Sequence, residues 1–190
     1  MSEAKSYADP LKIGEIITAE SAGIVIESKS TKYSVGEYVC CRSGWQEYFI
    51  SNDKDPMTYK VDPKLVPLST YLGVCGMTGR TAYFGLMKEA SPSKGETLVV
   101  SAASGAVGSI VGQIGKKIGL NVIGIAGSDE KCNYVVDELN FDGCVNYKSA
   151  FFRDELASKL DSGVDIYFES VGGLVTETVT EFFNSGSRAP

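Results

Sequence analysis

The sequence of 190 residues contains no histidine. That absence excludes a serine nucleophile paired with imidazole, and it leaves any zinc site to be built from thiolates and carboxylates alone. The thiolates are not arranged for it. The five cysteines, Cys40, Cys41, Cys75, Cys132 and Cys144, are odd in number and never fall in CxxC spacing. Such cysteines read as reduced thiols of a cytoplasmic protein. Lysines and arginines form no block and the formal net charge is −6, so no nucleic-acid surface is expected. There is no long lipophilic run either. The charge-free stretch Thr97 to Gly115 approaches the length of a membrane span, but its serines, glycines and glutamine are too polar for one. It reads as a buried strand entering a packed helix. The leading MSEAKSYADP is polar and lacks an apolar core, so no secretory signal and no membrane partner are expected.

What is present is an ordinary globular composition, 43% apolar and 22% charged, in a length suited to one good core or to one domain with part of another. From Leu11 to about Pro67, short apolar stretches (GEIITAE, AGIVIES, VGEYVCC, GWQEYFIS) are broken by turns, which predicts a small antiparallel, mainly β unit. After DPKLVPLSTYLGV the character changes, and the chain is divided here into a first domain over residues 1–70 and a second over 71–190. Residues 77–88 read as a helix and ASPSKGE as a connector. From Thr97 onward the strands TLVVSA, NVIGIA, GCVNY and VDIYFES alternate with helices over 106–118, 129–139, 151–160 and from 174. The fold class is therefore α/β: a doubly wound parallel sheet with right-handed crossovers, four strands in the order 3-2-1-4, and helices on both faces. The closing GSRAP reads as a truncation or a cloning scar, which would leave the strand Val164 to Glu169 with an unpaired edge.

In the turn AASGAVG, Gly105 and Gly108 stand at the second and third glycine positions of a GxGxxG fingerprint, with Ala103 at the first. Gly105 lets backbone approach a pyrophosphate and Gly108 lets the helix lie close on the strand, while the N–H groups opening that helix face the anion. Tight helix packing alone is the competing reading. What favours a nucleotide is the context, with a strand before the turn and a helix and a second strand after it. At the end of that second strand an NAD site carries a carboxylate for the ribose 2'-hydroxyl, but here Gly127 and Ser128 repel nothing, and Lys131 follows one helical turn later as a point charge. NADP, as NADPH, is the cofactor this favours. Ser128 reads also as a helix N-cap, with Asp129 and Glu130 favouring the dipole and Lys131 merely solvated. Asp129 is the residue that a different loop path would aim at a 2'-hydroxyl.

The segments VSAASGAVGSIVGQIGKKIG, GIAGSDEKCNYVVDELNFD, the NYK at Asn146 to Lys148, and YFESVGG resemble the zinc-independent medium-chain dehydrogenase/reductases. Within that superfamily they resemble the prostaglandin reductases and leukotriene hydroxydehydrogenases, with the related NADP-dependent alkenal double-bond reductases. SYADPLKIGE, GWQEYFIS and YLGVCGMTGRTAYFGL are similar to the same family in order and spacing. The resemblance implies a partial Rossmann domain preceded by part of a GroES-like catalytic domain. It implies that Lys131 and Tyr147 contact the 2'-phosphate, that Gly105, Ala106 and Val107 line the pyrophosphate turn, that Met77 and Thr81 lie near the nicotinamide, and that Ser170 and Val171 sit by its ring. Met77 reads equally as plain core, and Tyr147 as an ordinary strand-end aromatic. Ser170 departs from the asparagine of the family's pattern. The tyrosine the family assigns to the substrate, and the strands through which it commonly forms homodimers, would lie beyond Pro190.

The chemistry so implied is hydride transfer from NADPH to the β-carbon of an α,β-unsaturated carbonyl, an enal, enone or oxidised eicosanoid, followed by protonation of the enolate. No metal is needed if hydrogen-bond donors stabilise the oxyanion. Two alternatives stand beside it: a quinone reductase of the same superfamily, and a nucleotide-binding fragment without turnover.

Overall fold

The computed structural model describes residues 10–190. The polar leader, and with it the start of the SYADPLKIGE motif, lies outside the described residues. The chain divides into two compact units, the first ending at Gly76 and the second running from Met77 to Pro190.

The first unit holds a three-stranded antiparallel sheet of β1 (Ser21–Ile24), β2 (Tyr38–Cys41) and β3 (Tyr59–Val61), in that order. Ser21 lies opposite Cys41, and Tyr38 opposite Val61. Gly36 enters β2 from a left-handed backbone (φ 91°) and donates its N–H to Val25 O at 2.8 Å, which closes the β1–β2 connection. Two stretches that look strand-like in sequence, GEIITAE and GWQEYFIS, form no ladder. They meet only through isolated bonds, Gly44 N to Ala19 O at 3.0 Å and Trp45 N to Ile17 O at 2.9 Å.

The second unit is α/β. Helix α1 (Met77–Phe84) widens into a π-type turn (Gly85–Ala90). The elements that follow are β4 (Thr97–Val100), α2 (Gly108–Ile118), β5 (Asn121–Ala126), α3 (Asp129–Asp137), β6 (Gly143–Asn146), α4 (Phe152–Ala157), β7 (Val164–Phe168), α5 (Gly173–Thr180) and β8 (Phe183–Arg188). All five strands are parallel, in the order β6-β5-β4-β7-β8. Because successive strand residues face opposite sides, Leu98 and Val100 join one buried cluster with Leu86, Val111 and Val122, while Val99 joins Ile125, Leu156 and Val179 on the other. Each fully buried aliphatic side chain of this kind contributes about 1.5–3 kcal/mol. Helix α2 lies close on the sheet: a Cβ at Gly115 would stand 2.8 Å from Leu98 and 3.0 Å from Val122, and one at Gly112 1.8 Å from the Phe141 ring before β6.

The structure corrects the reading of the C-terminal segment. The edge of β7 expected to be unpaired is covered: β8 pairs with β7 from Val164–Phe183 to Ile166–Arg188 through a register shift. Phe182 and Phe183 pack against the core, and the Arg188 guanidinium forks Glu96 (Nη1 to Oε1 3.0 Å, Nη2 to Oε2 2.5 Å) and donates Nε–H to Ala90 O at 3.0 Å. The helices expected to reach residues 139 and 160 stop at Asp137 and Ala157. Beyond the first, Asn140 takes a left-handed φ of 58°.

Candidate functional site

The strand order reverses at β4, with β5 and β6 to one side and β7 and β8 to the other. In an open parallel sheet that reversal creates a crevice at the carboxyl ends of the strands. The turn between β4 and α2 lies there. Ala102 adopts a left-handed φ of 46°, and its carbonyl accepts Gly105 N at 2.8 Å. A Cβ at Gly105 would stand 3.0 Å from that oxygen, and one at Gly108 2.5 Å from it, so the turn closes only around residues without side chains. Ser104 and Ala106 make no hydrogen bond among the described residues, which leaves their N–H groups, and the Ser104 hydroxyl, available to an anion at the mouth of α2. Val107 stands as the N-cap of that helix. Ala103 is different. It is fully buried, and its Cβ would lie 2.9 Å from one placed on Gly124, so it faces the sheet rather than the crevice.

At the ends of β5 and β6 the side chains converge. Gly127 is not in the left-handed region. A Cβ on it would meet Tyr147 Cε1 and Oη at 3.2 Å, which puts the phenol alongside the bare backbone. Ser128 is an extended N-cap (φ −162°, ψ 158°) whose Oγ accepts Lys131 N at 3.3 Å. The Lys131 ammonium is exposed and makes no ion pair among the described residues. Asp129 is held: Asn146 Nδ2 donates to its Oδ1 at 2.8 Å, while Asn146 Oδ1 accepts Lys148 N at 3.1 Å. The Lys148 ammonium lies 6.0 Å from the centre of the Tyr147 ring. One amide thus joins the start of α3 to the end of β6, bringing the turn of Lys131 and the strand end of Tyr147 into one locality.

Across β4, the end of β7 carries Ser170 and Val171, both exposed. Ser170 N donates to Ser101 Oγ at 2.8 Å. Met77 and Thr81 share the exposed side of α1, with Thr81 Oγ1 3.6 Å from Met77 Sδ, whereas Ala82 and Leu86 on its other side enter the core. Met77 is 55% exposed and is not a core residue.

Burial, reinforced by the neighbouring Cys132, pushes the Cys144 thiol far up, and burial likewise raises Cys41. Among the described residues there is no group of three or more His, Cys, Asp or Glu able to hold a metal ion. Sequence reasoning quoted Asn146 and Lys148 only as flanks of Tyr147 and gave no role to Ser101 or Glu169, all of which the structure brings beside candidate residues. For Glu169 the available signal was an acid directly before a glycine-rich turn, ESVGG.

Comparison with known proteins places these features in context. Residues 1–59 match the family described as N-terminal domain of oxidoreductase, and residues 106–189 that described as zinc-binding dehydrogenase. The chain is 42% identical over 190 residues to an NADPH-dependent curcumin reductase of Escherichia coli (strain K12), covering 100% of this chain and 54% of that relative. It is 42% identical over 178 residues to a 2-alkenal reductase (NADP(+)-dependent) of Nicotiana tabacum, covering 92% and 51%. Its fold agrees with the crystal structure of CurA in complex with NADPH from Vibrio vulnificus at a TM-score of 0.90 and 46% identity, over 100% of this chain and 56% of that one. The chain spans about half the length of the curated relatives it matches.

Proposed function

The chain belongs to the zinc-independent medium-chain dehydrogenase/reductases, and on that premise we propose that it binds NADPH along the carboxyl edge of its parallel sheet and serves a reductase of the carbon–carbon double bond in α,β-unsaturated carbonyls. The observation that carries this reading is the end of β5. Gly127 and Ser128 present no carboxylate, Asp129 is engaged by Asn146, and the Tyr147 phenol lies beside Gly127. A 2'-phosphate there finds the unpaired Lys131 ammonium and the Tyr147 hydroxyl, where the 2'-hydroxyl of NADH would find no carboxylate at the strand end.

The remaining candidates take their parts in order along the crevice. The free N–H groups at Ser104 and Ala106, with Gly105, Val107 and Gly108, receive the pyrophosphate at the mouth of α2. Ser170 and Val171 border the nicotinamide, and Met77 and Thr81 supply an apolar and a hydroxyl contact from α1. NADPH, when bound, supplies the hydride that adds to the β-carbon. The residues of the chain bind, orient and exclude water around it. The names of two relatives, one NADPH-dependent and one an alkenal reductase, support both halves of the reading. The partner is a small unsaturated carbonyl. All five thiols are free, which accords with the cytoplasm, and the whole protein is expected to pair as a homodimer.

The test is NADPH oxidation measured in parallel with 2-alkenals, cyclic enones and quinones, each repeated with NADH. Turnover of enals and enones with NADPH is expected. Turnover confined to quinones would replace the substrate class, and equal use of NADH would remove the cofactor assignment.

A further inference from the structure

We propose that Glu169 is a positioning residue for the nicotinamide half of the site, its carboxylate clamping the turn between β7 and α5 to the end of β4 so that Ser170 and Val171 stand where the nicotinamide must lie. This rests on the NADPH reading above and adds to it a residue that no cofactor atom need touch.

The geometry is unusually concentrated for one side chain. Glu169 Oε1 accepts Val171 N at 2.5 Å and Gly172 N at 3.0 Å, and lies 3.4 Å from Ser101 Oγ. Its Oε2 accepts Gly172 N at 3.2 Å and the Thr176 hydroxyl. Thr176 Oγ1 lies in turn 3.3 Å from the hydroxyl of Tyr167, a fully buried residue. Ser101 ties the other side, accepting Ser170 N on its Oγ and donating its own N–H to Phe168 O at 3.1 Å. The carboxylate therefore holds the β7–α5 turn and α5 directly, and meets the end of β4 through Ser101, whose hydroxyl also has Phe168 O at 3.2 Å. The turn needs such a hold, because Gly172 and Gly173 both take left-handed backbone (φ 74° and 58°) and carry no side chain to anchor it.

Charge is essential to the arrangement. Burial opposes ionisation of Glu169, but the N–H groups of Val171, Gly172 and Ser170 and the Ser101 hydroxyl outweigh it and hold the carboxyl below its usual range. An amide in its place would turn two N–H donors toward other donors. With the pyrophosphate over α2 and the adenosine ribose at β5, the dinucleotide must cross β4 toward β7, and the turn that Glu169 holds is the wall it meets. A carboxylate that merely capped α5 would support the fold but would not distinguish one half of the cofactor from the other.

The experiment exploits that difference. The chain is titrated with NADPH and with 2',5'-ADP, which carries the adenosine half and its 2'-phosphate but no nicotinamide. Wild type, Glu169→Gln and Thr176→Val are compared, with thermal unfolding followed alongside. Glu169→Gln is expected to weaken NADPH about tenfold and 2',5'-ADP less than about twofold. Thr176→Val, which removes one donor and leaves the backbone bonds, should shift the same ratio in the same direction by less, and it carries the test if Glu169→Gln does not fold. Equal weakening of both ligands, or unchanged NADPH affinity in a folded variant, would overturn the proposal. A wild type that binds neither ligand would instead overturn the NADPH reading beneath it.

Discussion

The two units of the chain bury apolar surface to very different extents. Of the 27 apolar residues withdrawn from solvent among the described residues, Cys40 alone lies before Met77, and the other 26 lie in the second unit. In the first unit Trp45, Tyr48 and Ile50 stand 73%, 74% and 96% exposed, and the strands are three or four residues long. Every residue of β4, by contrast, is buried. A short three-stranded sheet with one buried apolar residue has hydrogen bonds but little burial behind them, whereas the parallel sheet is sealed on both sides. The stability of the chain therefore resides in the second unit, and the candidate nucleotide site stands on its strand ends. A binding constellation on rigid elements is held more closely than one on loops.

The largest expected expression of this contrast is in hydrogen exchange. Amides of β4 and β5 should exchange only through global unfolding, and those of β1, β2 and β3 through local opening, a difference of roughly a thousandfold or more in protection. Comparable protection in the two units would break the comparison. A smaller effect should appear in denaturant titrations. Leu98→Ala, at a fully buried position, should cost about 2–5 kcal/mol. Ile24→Ala, at a position 50% exposed in β1, should cost about 0.5 kcal/mol or less.

An effect smaller than that of Leu98→Ala is expected at β8, the strand that was not foreseen. Arg188→Ala should cost about 1 kcal/mol at neutral pH, since the pair with Glu96 is partly exposed and screened. The hydrogen bond from Arg188 holds the Glu96 carboxyl below its ordinary value of 4.5, with burial opposing. A depressed folded value means that this stabilisation is complete above the unfolded value and is lost as pH falls through the folded one. The gap in melting temperature between wild type and variant should therefore narrow as the pH is taken below 4.5, and a gap unchanged under acid would remove the pair as its cause.

The alternating strands and helices of the second unit were legible because each is a local pattern: apolar runs, the turn AASGAVG, and the cap at Ser128. β8 was not, because FNSGSR has no apolar alternation, and what holds its end is Glu96, 92 positions away. GEIITAE and GWQEYFIS looked like strands because apolar residues cluster in them, yet each finds only isolated backbone partners. In the candidate site, the end of β5 carries its reading in the sequence itself, because that reading turns on a side chain that is absent. Of the Glu169 contacts, those to Val171, Gly172 and Thr176 lie within seven residues and left a local signal in ESVGG, whereas the one to Ser101, 68 residues away, left none. Ala103 shows the converse: the glycine fingerprint aligned it correctly along the chain but could not tell that its side chain turns into the sheet.

The most direct test is the ratio of NADPH to NADH affinity, measured by fluorescence titration on the wild type and on Lys131→Ala. If the 2'-phosphate lies between Lys131 and Tyr147 at the bare end of β5, the wild type prefers NADPH and the variant loses roughly tenfold or more of that preference, with NADH unchanged. Equal weakening of both cofactors, or a wild type without preference, would mean that the ribose lies elsewhere.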